Sequence, residues 1–264
     1  MRLLITGGAG FIGGHVAHLL TQKGVDIAIY DNLSTGKKHN LVKDVPFYPG
    51  DLANSEYLYT CLAQGKFDGV IHLASSIDPV ESLLNPKKYY HNNTVNTLTL
   101  LECCQKAGIH HIIYSSTAAV YGLSKQIVVD ETAPLAPLSP YGMSKVMSEN
   151  IIKDFATAYG MKYVILRYFN VVGVDPQYNV GYADSSKNLI KIACEVALGK
   201  QPYLPIYGNT YSTKDGTTIR DYIHPTDLAL AHFLASDYLI QKQGDNITLN
   251  CGYGQGYSVL DVVR

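Results

Sequence analysis

Two side chains that can handle a proton, Tyr141 and Lys145, lie four residues apart in the segment SPYGMSK. Ser139 suits a helix N-cap and Pro140 suits a first turn, so the spacing predicts that the pair shares one face of a helix. For Tyr141 to act as a base near neutral pH, its pKa must fall from about 10 to about 7, which requires about 4 kcal/mol. A neighbouring ammonium and a cationic cofactor ring, in a site shielded from water, can supply that stabilisation. Because this spacing is common on helices, the pair by itself is weak evidence.

The surrounding sequence adds a third polar side chain to the pair. The same predicted helix has an apolar stripe that we expect to pack on the core, formed by Met143, Met147, Ile151 and Phe155. Tyr141 and Lys145 fall about a quarter-turn away from this stripe, so we expect them to face a cleft. Upstream, the segment YSSTAAVYG ends a predicted strand and offers Thr117, whose hydroxyl can hydrogen-bond a substrate oxygen beside the tyrosine.

A glycine-rich segment at the start of the chain predicts a dinucleotide site. Gly7, Gly10 and Gly13 follow a predicted strand and lead into a helix, a context in which glycines let the backbone approach a pyrophosphate. The spacing is G-x-x-G-x-x-G rather than G-x-G-x-x-G. Asp31 stands 18 residues after Gly13, at the end of the next predicted strand, where a carboxylate favours the ribose of NAD over the 2′-phosphate of NADP. An aspartate that only caps the next turn would give the same pattern.

These residues need a scaffold, and the hydrophobic pattern predicts one. Short β-branched runs alternate with amphipathic helical segments, which is typical of a doubly wound parallel α/β sheet of the Rossmann type. Polar or small residues stand at the predicted carboxyl ends of the strands: Asp51, 74–76, 115–117 and 168–170. Because ligands bind at that edge of an open α/β sheet, one long cleft is expected there. Asp51 and Leu52 would contact the adenine edge, although a turn-forming aspartate after Gly50 is nearly as good an explanation.

The chain is predicted to contain a second, smaller unit that binds substrate. We assign 1–174 to the NAD-binding domain, rejoined by about 219–247, and assign 175–218 and 248–264 to the substrate unit. The last residues, YSVLDVVR, begin an amphipathic pattern without a helix-ending signal, so we expect this unit to be incomplete at its C-terminal end.

Composition narrows the class of function. With 21 basic and 22 acidic side chains, the chain lacks the basic surplus of a nucleic-acid-binding protein. The start, MRLLITGGAG, resembles neither a secretory signal nor a membrane span, so we expect a soluble, cytoplasmic protein. The five cysteines show no metal-ligand spacing, and we predict neither a disulfide framework nor a metal site.

The ordered motifs TGGAGFIG, DNLSTG, GDL, YYHNNT, SSTAAVYG, SPYGMSK, RYFNVVG and RDYIHPTDLA resemble those of the extended short-chain dehydrogenase/reductase family. Within that family, the resemblance is to NAD-dependent 4-epimerases of UDP-sugars, which act on UDP-glucose and UDP-galactose, and it runs from Met1 to the last residue. It implies that Tyr141 is the catalytic base, that Lys145 lowers its pKa and holds the nicotinamide ribose, and that Thr117 assists. The related 4,6-dehydratases carry an Asp-Glu pair where this chain has Ala118 and Ala119, so dehydration is not expected.

The resemblance also implies contacts with the two ligands and a partner. Besides the glycines, Asp31, Tyr141 and Lys145, the implied contacts with NAD are Phe11, Ile12, Asn32, Asp51, Leu52, Leu73, Ala74, Asn92, Ser115 and Tyr168; Asn92 or Asn93 would help to order the site. The implied contacts with the UDP-sugar are Thr117, Asn170, Asn188, Leu189, Tyr207 and Arg220. For Asn188 and Tyr207, a helix entry and an edge of the core are competing explanations. The helix of Tyr141 is expected to pair with its counterpart in a homodimer.

Two other functions stay open from the sequence. The same chemistry on UDP-N-acetylhexosamines or UDP-hexuronic acids fits the motifs equally well. A non-catalytic NAD-binding sensor would keep the fold but would have no need for Thr117, Tyr141 and Lys145 together.

Overall fold

The computed structural model describes residues 1–124, 128–175, 177, 179–182 and 188–264. Its strands are β1 Arg2–Thr6, β2 Asp26–Asp31, β3 Phe47–Pro49, β4 Gly69–His72, β5 His111–Thr117, β6 Lys162–Tyr168, β7 Asn170–Val171, β8 Ile219–Ile223, β9 Ile247–Cys251 and β10 Gly256–Ser258. Its α-helices are α1 Phe11–Gln22, α2 Ser55–Gly65, α3 Pro79–Leu84, α4 Pro86–Tyr89, α5 Asn96–Lys106, α6 Pro140–Tyr159, α7 Leu189–Ala197, α8 Pro225–Ser236 and α9 Val259–Val263.

Within the described residues, seven strands form one parallel sheet in the order β3-β2-β1-β4-β5-β6-β9. The order reverses between β1 and β4, which is the switch point of a doubly wound fold, where a cleft opens at the carboxyl ends of the strands. The prediction of a doubly wound parallel sheet is therefore confirmed.

The two faces of the sheet are covered because side chains alternate along each strand. In β1, Leu4 packs into the cluster that lies under α2, α5 and α6, whereas Leu3 and Ile5 pack into the cluster under α1 and α8. Each side chain of these three residues is fully buried. The apolar run that the sequence shows in β1 thus anchors both layers of helices.

A small three-stranded sheet adjoins the large one, in the order β10-β8-β7. Its first strand, β7, begins at Asn170, two residues after β6 ends, so it emerges from the cleft edge of the large sheet. The strand β9 pairs in parallel with β6 and carries the large sheet as far as Cys251. The segment 248–251, which the sequence assigned to the substrate unit, therefore lies in the large sheet, because its backbone pairs in parallel with β6.

A helix that spans a bilayer needs about 20 consecutive apolar residues. Among the described residues, no helix is long and apolar enough to do so.

Candidate active site

The turn between β1 and α1 is built so closely that it accepts only glycine at two positions. Gly7 has φ +74°, and a Cβ there would lie 2.6 Å from the backbone nitrogen of Ala74. A Cβ at Gly13 would lie 2.1 Å from the carbonyl oxygen of Gly7. The N-cap of α1 is Gly10, which has no side chain to cap the first turn, where Phe11 and Ile12 lie. The first-turn N–H groups therefore suit the pyrophosphate of a dinucleotide, and these residues fit NAD.

Asp31 links this turn to the end of β2. Its Oδ2 accepts a hydrogen bond from the Ala9 backbone nitrogen at 3.0 Å, and its Oδ1 accepts one from that of Leu33 at 2.8 Å. Burial raises the pKa of this carboxyl, and the two backbone donors oppose the rise. The bond to Leu33 matches the turn-capping explanation, but the bond to Ala9 goes further, because it fixes the carboxylate against the glycine-rich turn. Each oxygen keeps a lone pair that can accept a ribose hydroxyl.

Further polar groups lie beside Asp31, on the β3 side of the sheet. Asn32 donates from Nδ2 to the Asp51 carboxylate at 2.7 Å, and the Tyr30 hydroxyl donates to the Asp51 carbonyl at 3.0 Å. Leu52 is buried in the core next to them. Asp51 is thus tied to the end of β2, while its carboxylate also accepts the backbone nitrogen of Ala53 in a turn. The turn-forming explanation for Asp51 is thus confirmed, and its contact with the adenine edge stays a prediction.

The floor of the cleft after β4 is held by an asparagine that the sequence singled out only as an alternative. Asn92 donates to the Ser76 hydroxyl at 2.9 Å. Asn93 is buried and bonds both the backbone nitrogen and the carbonyl of Ser76, at 2.8 and 2.9 Å, and donates to the Ser144 hydroxyl at 3.0 Å. Both asparagines lie in a π-helical stretch at 90–95, a distortion often found at functional sites. Asn93 therefore ties the segment after Leu73 and Ala74 to α6.

The helix α6 begins as predicted but buries a different face. Ser139 caps it, accepting from the Gly142 backbone nitrogen at 3.2 Å, and Pro140 is its first residue. The fully buried side chains are polar in the main: Tyr141, Ser144, Lys145, Ser148, Glu149 and Ile152. The expectation that the apolar stripe packs on the core is wrong in part, since Met147 is 41% exposed and Met143, Ile151 and Phe155 are only half-buried. The polar face is buried because β5, β6 and the π-helical stretch supply hydrogen-bond partners for it.

Lys145 and Tyr141 lie side by side against the end of β5. The Lys145 Nζ donates to the Ser115 carbonyl at 2.8 Å and stands 5.0 Å from the centre of the Tyr114 ring. Burial lowers the pKa of Lys145 to about 7, and the negative charge of Glu149 opposes the fall. Burial raises the pKa of the Tyr141 phenol, while the nearby Thr117 hydroxyl opposes the rise.

This arrangement can carry a proton between a bound hydroxyl and the protein. Without ligands, the raised pKa keeps the Tyr141 phenol neutral. A protonated Lys145 and a cationic ring nearby would each favour the phenolate, so the base would become active when the cofactor is present. Thr117, Tyr141 and Lys145 are brought together by the structure as the sequence predicted.

Tyr168 and Ser115 complete the side of the cleft next to β6. The Tyr168 hydroxyl is hydrogen-bonded to His232 Nε2 at 2.5 Å and lies near the Ser115 side chain. Since His232 Nδ1 lies 2.8 Å from the Leu228 carbonyl, Nδ1 carries the proton and Nε2 accepts from Tyr168. The His232 side chain is fully buried, and the sequence alone did not identify it.

Most of the predicted substrate contacts lie on or beside the small sheet, whereas Tyr207, among the described residues, does not contact them. Asn170 donates to the Asp221 carbonyl at 3.2 Å, and exposed Arg220 lies on the same small sheet. Asn188 caps α7, accepting from the Ile190 backbone nitrogen at 2.9 Å, and donates to the Val171 carbonyl at 3.4 Å. The helix-entry explanation of Asn188 thus holds, and Leu189 follows it as the first residue of α7. Tyr207 is 83% exposed and no described contact joins it to the others, so the core-edge explanation is wrong.

A buried ionic network under α6 was missed by the sequence reasoning. It consists of Ser116, Tyr121, Glu149, Arg167 and Asn250. The sequence did contain a sign of this network, because Glu149 follows Lys145 by four residues and so lies on the same face of the helix. The sequence pattern did not show that this face is the buried one.

Comparisons with known proteins agree with this geometry. The family model described as the NAD dependent epimerase/dehydratase family matches residues 3–252. A UDP-glucose 4-epimerase of Azospirillum brasilense is 47% identical over all of this chain and 76% of its own length. The structure of UDP-glucose 4-epimerase from Brucella ovis in complex with NAD has TM-score 0.95 and 41% identity, over 99% of this chain and 80% of that one.

A third protein broadens the range of substrates among the similar structures. The UDP-Glc/GlcNAc 4-epimerase from Campylobacter jejuni has TM-score 0.86 and 44% identity, over 99% of this chain and 81% of that one. The matched family model covers the glycine-rich turn, the end of β5 and the first turns of α6, where the candidate site lies. The chain therefore belongs to the NAD dependent epimerase/dehydratase family.

Proposed function

We propose that this chain is an NAD-dependent 4-epimerase that interconverts UDP-glucose and UDP-galactose. The observation that carries the proposal is the grouping of Thr117, Tyr141 and Lys145 at the carboxyl edge of the sheet, beside a turn that only glycine can form. The similarity to UDP-glucose 4-epimerases over the whole chain supports it.

In the proposed mechanism, Tyr141 removes the proton from the 4-hydroxyl of the sugar and later returns it. Thr117 holds that hydroxyl beside the phenol, and Lys145 stabilises the phenolate and binds the nicotinamide ribose. The Gly7–Gly13 turn, Asp31 and Lys145 would hold NAD, which would supply a reversible hydride acceptor for C4 of the sugar. Because the proton and the hydride both return, the protein and its cofactor end the cycle as they began.

The remaining contacts are assigned by chemistry and position. Asp31 would accept the ribose hydroxyls of NAD, and the N-terminal turn of α1 would hold its pyrophosphate. Arg220 is exposed on the small sheet and offers a guanidinium fork that suits the diphosphate of a UDP-sugar. We keep the domain division as a proposal: 1–174 with about 219–247 as the NAD-binding domain, and 175–218 with 248–264 as the substrate unit, except that 248–251 joins the large sheet.

We also propose that the chain forms a homodimer through α6. Its apolar stripe stays partly exposed, with Met147 at 41%, although the opposite face of the helix is fully buried. A second α6 would remove these side chains from water.

A second candidate is 4-epimerisation of UDP-N-acetylglucosamine. It is favoured by one observation, the 44% identity to a protein described as a UDP-Glc/GlcNAc 4-epimerase. The two candidates share the whole mechanism and differ in the sugar accepted.

The test is to incubate the purified chain with UDP-galactose, with and without added NAD, and to separate the UDP-sugars by chromatography. Formation of UDP-glucose without net NADH supports the proposal. Lasting NADH together with a keto product would point to a dehydrogenase, and NAD binding with no conversion would point to a sensor. A parallel reaction with UDP-N-acetylgalactosamine decides between the two candidate substrates.

A further inference from the structure

The inference concerns Glu149, a carboxylate that the proposed mechanism does not use. It lies on α6, one turn after Lys145, and its side chain is fully buried. Its cationic partner Arg167, on β6, is also buried, with 3% of its side chain exposed. Buried ionised side chains are rare unless they are paired and hydrogen-bonded, so their presence here calls for an explanation.

The Glu149 carboxylate is hydrogen-bonded from two strands. Its Oε1 accepts from the Ser116 hydroxyl at 2.5 Å and from Arg167 Nε at 3.0 Å, and its Oε2 accepts from Arg167 Nη2 at 2.7 Å. Ser116 stands between Ser115, whose carbonyl accepts from Lys145, and Thr117, whose hydroxyl lies near the Tyr141 phenol. The Glu149 carboxylate therefore binds β5 at Ser116. This residue lies between Ser115 and Thr117, which contact Lys145 and Tyr141.

The network continues from Arg167 to the neighbouring strand β9. Arg167 Nη1 donates to the Tyr121 hydroxyl at 2.8 Å, and that hydroxyl donates to Asn250 Oδ1 at 2.7 Å. Asn250 lies on β9, so the chain of bonds joins α6, β5, β6 and β9. All of these contacts fix the position of α6 relative to the end of β5.

Stability alone does not account for the pair. Replacing a buried ion pair with apolar side chains of similar volume is often neutral or stabilising, whereas removing one partner is strongly destabilising. An apolar contact between α6 and β6 would thus stabilise the fold as well as the ion pair does. What an apolar contact would lack is directional hydrogen bonding to Ser116 and a negative charge near Lys145.

We propose that Glu149 is a positioning residue, which fixes α6 against Ser116 and Arg167 so that Tyr141 and Lys145 meet the end of β5 in reactive geometry. The proposal rests on the proposed function. Its electrostatic part follows from the surroundings of the carboxylate. The titratable groups that face it are Lys145 and Lys153 on α6, Arg167 and Tyr163 on β6, and Tyr114 on β5.

Of these groups, Lys145 is the one whose charge matters for the reaction. The negative charge of Glu149 raises the pKa of Lys145 against the effect of burial, which leaves it at about 7. Without that charge, Lys145 would lose its proton at lower pH. The phenolate of Tyr141 would then lose its neighbouring cation, and the rate would fall on the alkaline side.

The test compares the full chain with three variants: Glu149→Gln, Glu149→Asp, and the double variant Glu149→Gln with Arg167→Met. A matched control is Asp154→Asn, which removes a negative charge from the exposed side of the same helix. For Glu149→Gln we expect kcat with UDP-galactose to fall about 10- to 100-fold, as for a small misplacement of reacting groups. The KM and the affinity for NAD should change less than about threefold, and the alkaline limb of kcat should move to lower pH.

The other variants separate positioning from stability. Glu149→Asp keeps the negative charge, so the alkaline limb of the kcat–pH profile should return to its position in the unaltered chain. The value of kcat should stay low, because the shorter side chain cannot reach both Ser116 and Arg167. The double variant removes both charges and should recover the stability that Glu149→Gln loses, measured by thermal unfolding, without recovering kcat. If kcat and the pH profile returned with stability in the double variant, or if Asp154→Asn had the same effect as Glu149→Gln, the proposal would be overturned.

A measurement without turnover keeps the inference separate from the proposed function. The ¹³Cε resonance of Lys145, assigned by its absence in Lys145→Met, should titrate near pH 7 in the unaltered chain and at lower pH in Glu149→Gln. An unaltered chain that fails to convert UDP-galactose would refute the proposed function only. A midpoint for Lys145 that does not move in Glu149→Gln would refute the electrostatic part of the inference, whether or not the chain is active.

Discussion

The first turns of α1 and α6 both face the carboxyl edge of the sheet, yet they are built on opposite principles. At α1 the backbone makes the site: Gly7 and Gly13 are required because a Cβ would clash with neighbouring backbone atoms. At α6 the side chains make it: the buried face carries Tyr141, Lys145 and Glu149, each held by a hydrogen bond or a charge.

This difference separates two ways in which the site can fail. A substitution in the α1 turn should lower the affinity for NAD and leave Tyr141 and Lys145 in place. A substitution on the buried face of α6 should lower kcat and leave the affinity for NAD unchanged.

Tyr141→Phe should reduce epimerisation by about 1,000-fold or more, since the base is removed and only the ring is kept. Affinity for NAD should stay within about threefold, measured by isothermal titration. Thr117→Val, which deletes the hydroxyl beside the phenol, is the companion variant and should give a smaller loss. Substantial activity in Tyr141→Phe would remove this residue from the role of base.

Gly13→Ala should lower the affinity for NAD by about 100-fold, or roughly 3 kcal/mol, because the new Cβ would lie 2.1 Å from the Gly7 carbonyl oxygen. The matched control is Gly24→Ala, just beyond the far end of α1. Gly24 has φ +74° and nothing within 4 Å of its Cβ position, so this variant should cost about 1 kcal/mol of stability and no affinity. Equal losses of NAD affinity in both variants would mean that the close contact at Gly13 is irrelevant.

Acid should destabilise the fold through two buried histidines. His72, at the end of β4, lies between the Thr6 and Thr97 hydroxyls, and His232, on α8, lies against Tyr168. Burial lowers the pKa of His72 to about 3 and that of His232 to about 4. Because the unfolded chain binds these protons near pH 6.5, stability falls as pH drops below that value, by about 2 kcal/mol for each histidine at pH 5.

Denaturant unfolding at pH 7.5 and at pH 5 measures this acid effect. His72→Gln and His232→Gln should each flatten the pH dependence by about half, since glutamine keeps a polar group and does not titrate. An unchanged pH dependence in both variants would assign the acid effect to other groups.

Met147→Glu should have the smallest effect on turnover, because this side chain lies on the exposed stripe of α6, away from the catalytic face. It should convert a homodimer to a monomer in light scattering while kcat changes less than about threefold. A fully active dimer in this variant would contradict the proposed use of the α6 stripe.

Much of the fold was predictable because its signals are local. The strand cores in RLLIT, HIIYSS and KYVILRY are continuous apolar runs, and the structure has strands at all three. The N-cap at Ser139 and the glycines of the α1 turn are equally local, because each depends on residues within a few positions. Asn93 was named only as an alternative to Asn92, and His232 was not identified, because each depends on a partner more than 50 residues away.

The sequence by itself determined the parallel α/β sheet, the glycine-rich turn with Asp31, and the one-turn spacing of Tyr141 and Lys145, all of which follow from backbone sterics and helical periodicity. Only the tertiary structure decided which face of α6 is buried. The apolar stripe indicated one face, but hydrogen bonds with Ser116, Asn93 and Arg167 satisfy the polar one. A satisfied polar face can be buried while an apolar face stays partly exposed. That choice puts the tyrosine and the lysine in the cleft and places a carboxylate behind them.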